Sequence, residues 1–114
     1  MNTDKAPIVE VDASNFESEV LRSKQPVMVA FLAPWSRPCH IIESVLDEIA
    51  AARAGSMKVV KVNADDNLGL GMSYEIQSIP TLLCFVDGSE RARIVGTASK
   101  EAILAQWKPF MGTV

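Results

Sequence analysis

Apolar and polar positions along the chain follow strand-like and helix-like patterns in turn. The segment Val27–Leu32 is apolar without alternation, which is typical of a central parallel strand covered on both faces. Between residues 41 and 54, apolar side chains recur at helical spacing, with acidic side chains opposite them. The predicted buried face consists of Ile41, Ile42, Val45, Leu46, Ile49 and Ala50. Gly55 follows at a position that favours a C′ glycine. The pattern therefore predicts a buried strand followed by the clearest helix of the chain.

The same kind of pattern predicts four further strands and three further helices. The strands are predicted at residues 8–11, 57–63, 81–86 and 91–95, and the helices at residues 14–22, 70–74 and 99–108. Ser14 and Glu17 have the spacing of a capping box, and Ser99 is a predicted N-cap. Asp87 and Gly88 predict a hairpin, so the last two strands should be antiparallel. The order predicts an α/β fold, in which one mixed five-stranded sheet is flanked by four helices with right-handed crossovers.

Length and composition are those of one ordinary globular domain. The 114 residues are 48% hydrophobic and 22% charged, and we expect a single domain over residues 1–114. The net charge is −3 with lysine and arginine scattered, which argues against nucleic acid or an anionic membrane surface as a partner. The polar first residues and the lack of an apolar run of about 20 residues predict a cytoplasmic protein.

A short polar segment, residues 35–39, separates the predicted central strand from the clearest helix. With cysteine at position 36 it would be C-x-x-C at a strand-to-helix junction, which is a redox motif. The residue is Ser36, so the segment holds one cysteine, Cys39, and the second cysteine, Cys84, is far away. This spacing does not suggest a secreted disulfide framework and fits a reducing compartment better. Cys84 lies in an apolar strand, where a free cysteine packs as a small hydrophobic residue.

A series of short motifs extends along residues 27–96. They are Trp35-x-x-Pro38-Cys39, Leu46-Asp47-Glu48-Ile49-Ala50, Lys61-Val62-Asn63-x-Asp65, Ile79-Pro80-Thr81-Leu82-Leu83-x-Phe85, Gly88 and Val95-Gly96. Their order and spacing resemble the thioredoxin family. The resemblance implies the thioredoxin fold and a role in redox reactions of protein or peptide thiols and disulfides. We expect a monomer that needs no cofactor.

The resemblance also implies roles for individual positions. Ser36 falls on the family's nucleophilic cysteine, Cys39 on its resolving cysteine, and Pro80 on its cis-proline. A groove for a substrate peptide would be bordered by Trp35, Arg37, Pro38, Ile79, Pro80, Gly96 and Thr97. Arg37 is expected to be exposed and to favour acidic partners, and Trp35 is expected to act as a contact platform.

Five positions bear on how this chain departs from the family's pattern. Ser36 replaces the cysteine whose thiolate attacks a disulfide, and a serine hydroxyl cannot do this at neutral pH. Ala30 stands where the family keeps a buried aspartate that moves protons for the resolving thiol. Lys61 then lacks its family neighbour and is expected to be an ordinary solvated lysine. Ser44 and Leu32 replace a proline and a second tryptophan, as structural changes. We therefore expect dithiol reductase activity to be lost or much reduced.

Ser36 and Cys39 each have two interpretations. As an N-cap, Ser36 accepts a hydrogen bond from the Cys39 N–H; alternatively, its hydroxyl donates to a bound thiolate such as that of glutathione. Cys39 is either a poorly exposed structural residue or a monothiol that forms mixed disulfides or a sulfenic acid. His40, the only histidine, adjoins Cys39 without further ligands, so no metal site is expected. A disulfide between Cys39 and Cys84 is not expected, because in this fold Cys84 lies well beyond the proline loop.

Two functions follow from these observations. One is a thiol–disulfide redox protein with a degenerate S-x-x-C motif, either a natural single-thiol form or a Cys-to-Ser version of a parent protein. The alternative is a non-catalytic module in which an extended peptide pairs with backbone groups next to Pro80, while Trp35 and Ile79 make side-chain contacts. Trp107, at helical spacing in the last helix, is expected in the core.

Overall fold

The computed structural model describes residues 8–53 and 55–110, which fold around one five-stranded sheet. The strands are β1 (Val9–Val11), β2 (Val27–Leu32), β3 (Lys58–Asn63), β4 (Thr81–Val86) and β5 (Ser89–Val95), and their spatial order is β1-β3-β2-β4-β5. β1 and β2 are both parallel to β3, whereas β4 is antiparallel to β2 and to β5. The predictions of a mixed sheet and of a central β2 are confirmed.

Three α-helices and one π-helical segment accompany the sheet. They are α1 (Arg37–Ala52), α2 (Leu68–Ser73), α3 (Lys100–Trp107) and the π-helical segment Glu17–Leu21, and a short 3-10 turn follows α3. With the π-helical segment included, the four predicted helices are present.

The core consists of two clusters, one on each face of the sheet. Residues of α1 and α3 pack on one face, with Met28 and Ala30 of β2, and this cluster contains Trp107 and both cysteines. Phe16, Val20 and the partly buried Leu70 of α2 pack on the other face. All six residues of β2 are buried, because the strand contributes side chains to both clusters. Trp107 is a core residue, as predicted from its spacing.

The predicted capping box of Ser14 and Glu17 is not formed. Instead, Asp12 Oδ1 accepts hydrogen bonds from the N–H of Ser14, at 2.8 Å, and from its hydroxyl, and Asn15 Oδ1 accepts from the Asp12 N–H at 2.7 Å. The Ser14 hydroxyl is therefore engaged before the helical segment begins, and that segment starts without a side-chain cap. The two bonds from Ser14, first of all the one from its hydroxyl, lower the pKa of Asp12.

α1 is longer at its start and shorter at its end than its apolar pattern predicts. It begins at Arg37 because Ser36 caps it, and because a proline such as Pro38 fits the first turn of a helix, where N–H groups have no intrahelical partner. Its C-cap is Arg53, so Gly55 is not the C′ residue. Gly55 has φ +97° and lies in the turn that leads to β3, where the left-handed conformation favours glycine.

The local signals in the second half of the chain agree with the structure. Asp87 and Gly88 have φ values of 52° and 82°, as a two-residue hairpin turn requires, and β5 begins directly after them. Ser99 caps α3 as predicted, since its hydroxyl oxygen accepts from the N–H of Ala102 at 3.1 Å.

Candidate functional site

The predicted site residues come together at one end of the sheet. β2 and β4 are antiparallel with Phe31 opposite Thr81, so the segment that follows β2 lies next to the segment that precedes β4. Thr81 is also opposite Val95, and the N–H of Gly96 donates to the carbonyl of Pro80 at 2.8 Å. The motif after β2, the loop before β4 and the loop after β5 therefore share one edge of the molecule.

Ser36 is the N-cap of α1. Its backbone is extended, with φ −93° and ψ 120°, and its Oγ accepts a hydrogen bond from the Cys39 N–H at 3.4 Å. The same N–H lies 3.1 Å from the carbonyl oxygen of Ser36, so it is shared between two acceptors. Ser36 is only 5% exposed. The capping interpretation of this residue therefore has a direct geometric basis.

Cys39 is a buried free thiol in the first turn of α1. It is 1% exposed, and its Sγ accepts a hydrogen bond from the Ala33 N–H at 3.4 Å. Its side chain belongs to the same core cluster as Ala30, which is fully buried and offers no carboxylate for proton transfer. The sulfur is thus enclosed by the core and contacts the backbone of the segment that follows β2.

Cys84 is the second free thiol and is also buried. It lies on β4 opposite Met28 near the start of β2, away from the end of the sheet where Cys39 lies. Burial raises the pKa of Cys84 to about 11, with a smaller opposing effect from Arg91. The thiol is therefore protonated at neutral pH and packs as a hydrophobic side chain, as predicted.

Trp35 projects from the site and is 71% exposed. Its Nε1–H donates to Asp65 Oδ2 at 2.8 Å, and the Asp65 N–H donates to Asn63 Oδ1 at 2.9 Å. Sequence reasoning named Asp65 only as part of a motif and missed this contact. The contact could have been predicted from the topology, because the parallel strands β2 and β3 end at the same edge of the sheet. Trp35 follows the end of β2 by three residues, and Asp65 follows the end of β3 by two. The contact orients the indole beside the groove.

The loop before β4 presents Ile79 and Pro80. The peptide bond between them is cis, Ile79 is half-buried and Pro80 is buried. The Thr81 hydroxyl donates to the Ser78 carbonyl at 2.6 Å, which closes a turn around these two residues. Within residues 8–53 and 55–110, no hydrogen bond engages the N–H or the carbonyl of Ile79. Its backbone groups are therefore available to an extended peptide.

The first turns of α1 form the outer side of the site. Arg37 and Pro38 are exposed, as is Thr97 in the loop after β5. Next to Trp35 the surface has an open depression, which is lined by Trp35, Arg37, His40, Ile41 and Ser44. Ile41 is 57% exposed and was assigned to the buried face of the helix by its spacing, which is wrong because α1 covers the sheet with the opposite side.

Lys61 is half-exposed and forms an ion pair that the sequence did not predict. Its Nζ lies 3.8 Å from Glu43 Oε2 of α1, and its side chain is 37% exposed. Both residues line a cavity of about 200 Å³ between α1 and the ends of β1, β2 and β3, together with Glu10, Leu32, Ala33, Pro34, His40, Val62 and Asn63. A half-exposed pair of this kind contributes little to stability.

His40 contacts the backbone of the segment that precedes α1. The His40 Nε2 is hydrogen-bonded to the carbonyl of Pro34, so the ring is tied to the segment ahead of the motif. Among the residues that the structure describes, no three histidine, cysteine or acidic side chains are placed to hold a metal ion together.

Comparison with known proteins gives the family. The sequence model of the family described as Thioredoxin matches residues 7–108. The chain belongs to the thioredoxin family. A thioredoxin from Griffithsia pacifica is 43% identical over 97 residues, which cover 85% of this chain and 89% of that protein. Thioredoxin 1 from Nostoc sp. is 45% identical over 94 residues, covering 82% and 88%, and a Mycobacterium bovis thioredoxin is 38% identical over 105 residues, covering 92% and 90%.

Membership of the thioredoxin family confirms the resemblance inferred from the motifs, and the observed sheet confirms the fold that it implied. The family is one of redox proteins that act on protein disulfides, which is consistent with protein thiols as the class of partner. In the described part of the chain, no helix has both the length and the apolar character that crossing a bilayer requires.

Proposed function

We propose that this chain is a single-domain, monomeric thioredoxin-family protein that binds extended segments of partner proteins and does not perform dithiol–disulfide exchange. The observation that carries the proposal is the state of the motif: Ser36 is a buried helix cap and the one thiol, Cys39, is 1% exposed. Dithiol exchange needs one thiol to attack and a second to release the mixed disulfide. The two free thiols fit a reducing compartment such as the cytoplasm.

The groove beside Pro80 supports binding of a peptide as an added strand. The free N–H and carbonyl of Ile79 offer one donor and one acceptor, which is the pattern used when a peptide pairs with an exposed edge. Trp35 provides a large exposed ring, and Gly96 and Thr97 border the other side. These residues give the groove backbone hydrogen bonds on one side and apolar contact on the other.

Arg37 indicates the charge of the preferred partner. It is exposed in the first turn of α1, and the described residues form no salt bridge with it. An acidic side chain in the bound segment would therefore meet an unpaired guanidinium next to Trp35. We expect apolar and acidic residues to alternate in good ligands.

Pro80→Thr tests the groove. Because the Pro80 ring borders the groove, we expect the variant to bind a short fluorescein-labelled peptide of alternating valine and glutamate about 10-fold more weakly, which corresponds to ~1.4 kcal/mol. Fluorescence polarisation measures the affinity, and thermal unfolding checks that the variant is folded. Pro109→Thr is the control, since Pro109 is exposed in the turn after α3. Equal affinity of the Pro80 variant and the original chain would contradict the groove.

Insulin reduction by dithiothreitol tests the loss of exchange chemistry. The chain and Ser36→Ala should not accelerate insulin precipitation above the dithiothreitol background, whereas Ser36→Cys restores two thiols at C-x-x-C spacing and should accelerate it. Acceleration by the unmodified chain would refute the proposal. An inert Ser36→Cys variant would show instead that the site has lost more than its nucleophile, with Ala30 as the next position to change.

A monothiol reaction at Cys39 is the second candidate function. It is favoured by one observation, the Ala33 N–H that donates to the sulfur, because such a bond stabilises a thiolate. Incubation with oxidised glutathione, followed by mass spectrometry of the intact protein, distinguishes the two functions. A glutathione adduct on folded Cys39 would support this candidate. Its absence, with adduct formation only after unfolding, would support the binding function alone.

A further inference from the structure

Arg93 of β5 donates four hydrogen bonds, two within its own strand and two to the end of α2. Its Nε and Nη2 donate to the two carboxylate oxygens of Glu90 at 2.8 and 3.0 Å. The same Nη2 donates to the carbonyl of Tyr74 at 2.8 Å, and Nη1 donates to the carbonyl of Glu75 at 3.3 Å. The planar guanidinium is thus held by an acidic neighbour on its own strand while it reaches two backbone carbonyls of another element.

The two carbonyls lie just past the end of α2, where no intrahelical N–H donor is left for them. α2 ends in a Schellman motif, in which the N–H of Glu75 donates to Met72 and the N–H of Ile76 to Gly71. Glu75 occupies the left-handed position with φ 55°, which is uncommon for a residue other than glycine. The last carbonyls of a helix need partners from outside, and a cation is favoured there by the helix dipole. Arg93 supplies both the hydrogen-bond donors and the positive charge.

The ring of Tyr74 adds a second attachment at the same point. It packs against Phe85 of β4 with the ring centroids 5.4 Å apart and against Phe16 at 5.5 Å. The backbone at Tyr74 is therefore fixed by aromatic packing on one side and by the guanidinium on the other. Beyond Glu75 the chain runs through Ser78 to Ile79 and Pro80, which border the groove.

We propose that Arg93 is a positioning residue for the peptide groove: it holds the start of the loop from Glu75 to Ser78, so that the backbone groups of Ile79 face a bound peptide. The end of this loop is held independently, by the Thr81 hydroxyl on the Ser78 carbonyl and by the Gly96 N–H on the Pro80 carbonyl. The inference rests on the proposed peptide binding, and it adds a residue that does not border the groove.

The test compares Arg93→Ala and Arg93→Lys with Arg91→Ala. Arg91 is exposed on the same strand, and in the described part of the chain its side chain makes no hydrogen bond or salt bridge, which makes it a matched control. Lysine keeps the charge but cannot reach Glu90 and both carbonyls at once. Hydrogen exchange of the amides at residues 74–76, which donate to carbonyls of α2, reports on the start of the loop, and fluorescence polarisation with the valine–glutamate peptide reports on the groove.

Arg93→Ala should raise the exchange rates at residues 74–76 about 10-fold and weaken peptide affinity to a similar extent. Arg93→Lys should lie between it and the original chain, and Arg91→Ala should change neither quantity. A loss of stability alone does not change the affinity while nearly all molecules are folded, so unfolding curves separate the two effects. Peptide affinity and exchange rates that stay within two-fold in Arg93→Ala would overturn the proposal. If the original chain does not bind the peptide, the proposed function fails, and the exchange rates alone then decide whether Arg93 holds the loop.

Discussion

Removing the Ser36 hydroxyl should cost less stability than removing the equivalent hydroxyl of Ser99. An N-cap serine is typically worth about 1 kcal/mol, within a range of roughly 0.5–2. The Ser36 bond to Cys39 is long, at 3.4 Å, and the Cys39 N–H keeps a second acceptor at 3.1 Å when the hydroxyl is gone. Ser99 accepts from the Ala102 N–H at 3.1 Å, and no backbone acceptor among the described residues replaces it. We therefore expect a loss of about 0.5 kcal/mol for Ser36→Ala and about 1 kcal/mol for Ser99→Ala.

Thermal unfolding followed by circular dichroism can resolve this difference. For a domain of this size, 1 kcal/mol corresponds to a change in Tm of about 4 °C, so the expected decreases are about 2 °C and about 4 °C. Urea unfolding gives an independent measure, provided that the m-value is unchanged. If Ser36→Ala lowers stability more than Ser99→Ala does, the hydroxyl makes a stabilising interaction other than the cap, and the capping interpretation is refuted.

Three further predictions concern the core and the turns. Cys84, with its pKa raised to about 11, should not react with iodoacetamide at pH 8 until the protein unfolds, and mass spectrometry that finds it labelled in the folded protein would contradict its burial. Gly88→Ala should cost about 1–2 kcal/mol in urea unfolding, because φ is +82° and the new Cβ would lie 3.0 Å from the Leu21 carbonyl oxygen; Gly69→Ala, with nothing within 4 Å, is the control and should be neutral or stabilising. Glu75→Gly should raise the free energy of unfolding by up to about 1 kcal/mol. Glycine removes the strain of the left-handed conformation from the folded state, and this gain exceeds the cost of the more flexible unfolded chain. A lower stability of the variant would contradict this.

Most of the fold follows from local patterns in the sequence. The six apolar residues of β2, the hairpin at Asp87 and the cap at Ser99 depend on neighbours in the chain, and all three predictions are confirmed. The prediction of a capping box at Ser14 was wrong, because a serine and a glutamate at the right spacing do not exclude a nearer hydrogen-bond acceptor. Here that acceptor is Asp12. The prediction that Ile41 is buried was wrong because helical spacing identifies an apolar stripe but does not show which residues of that stripe face the sheet.

The candidate site is less completely predictable. The positions that border it follow from the motifs, and the structure brings them to one end of the sheet. The Asp65 contact to Trp35 and the Lys61 contact to Glu43 join residues from different elements, so no local pattern contains them. The same is true of Arg93, which the sequence shows only as one of two arginines on an exposed strand.

The sequence by itself determined the family, the order of elements and the absence of a second thiol in the motif, since each depends on residue identity and spacing along the chain. Only the tertiary structure decided that the Cys39 sulfur is enclosed, that no hydrogen bond among the described residues engages the Ile79 backbone, and that Arg93 reaches the end of α2. The physical reason is that burial and hydrogen-bond partnership are properties of packed elements. They arise when segments that are distant in sequence meet across the sheet, and the spacing of residues within one segment does not specify them.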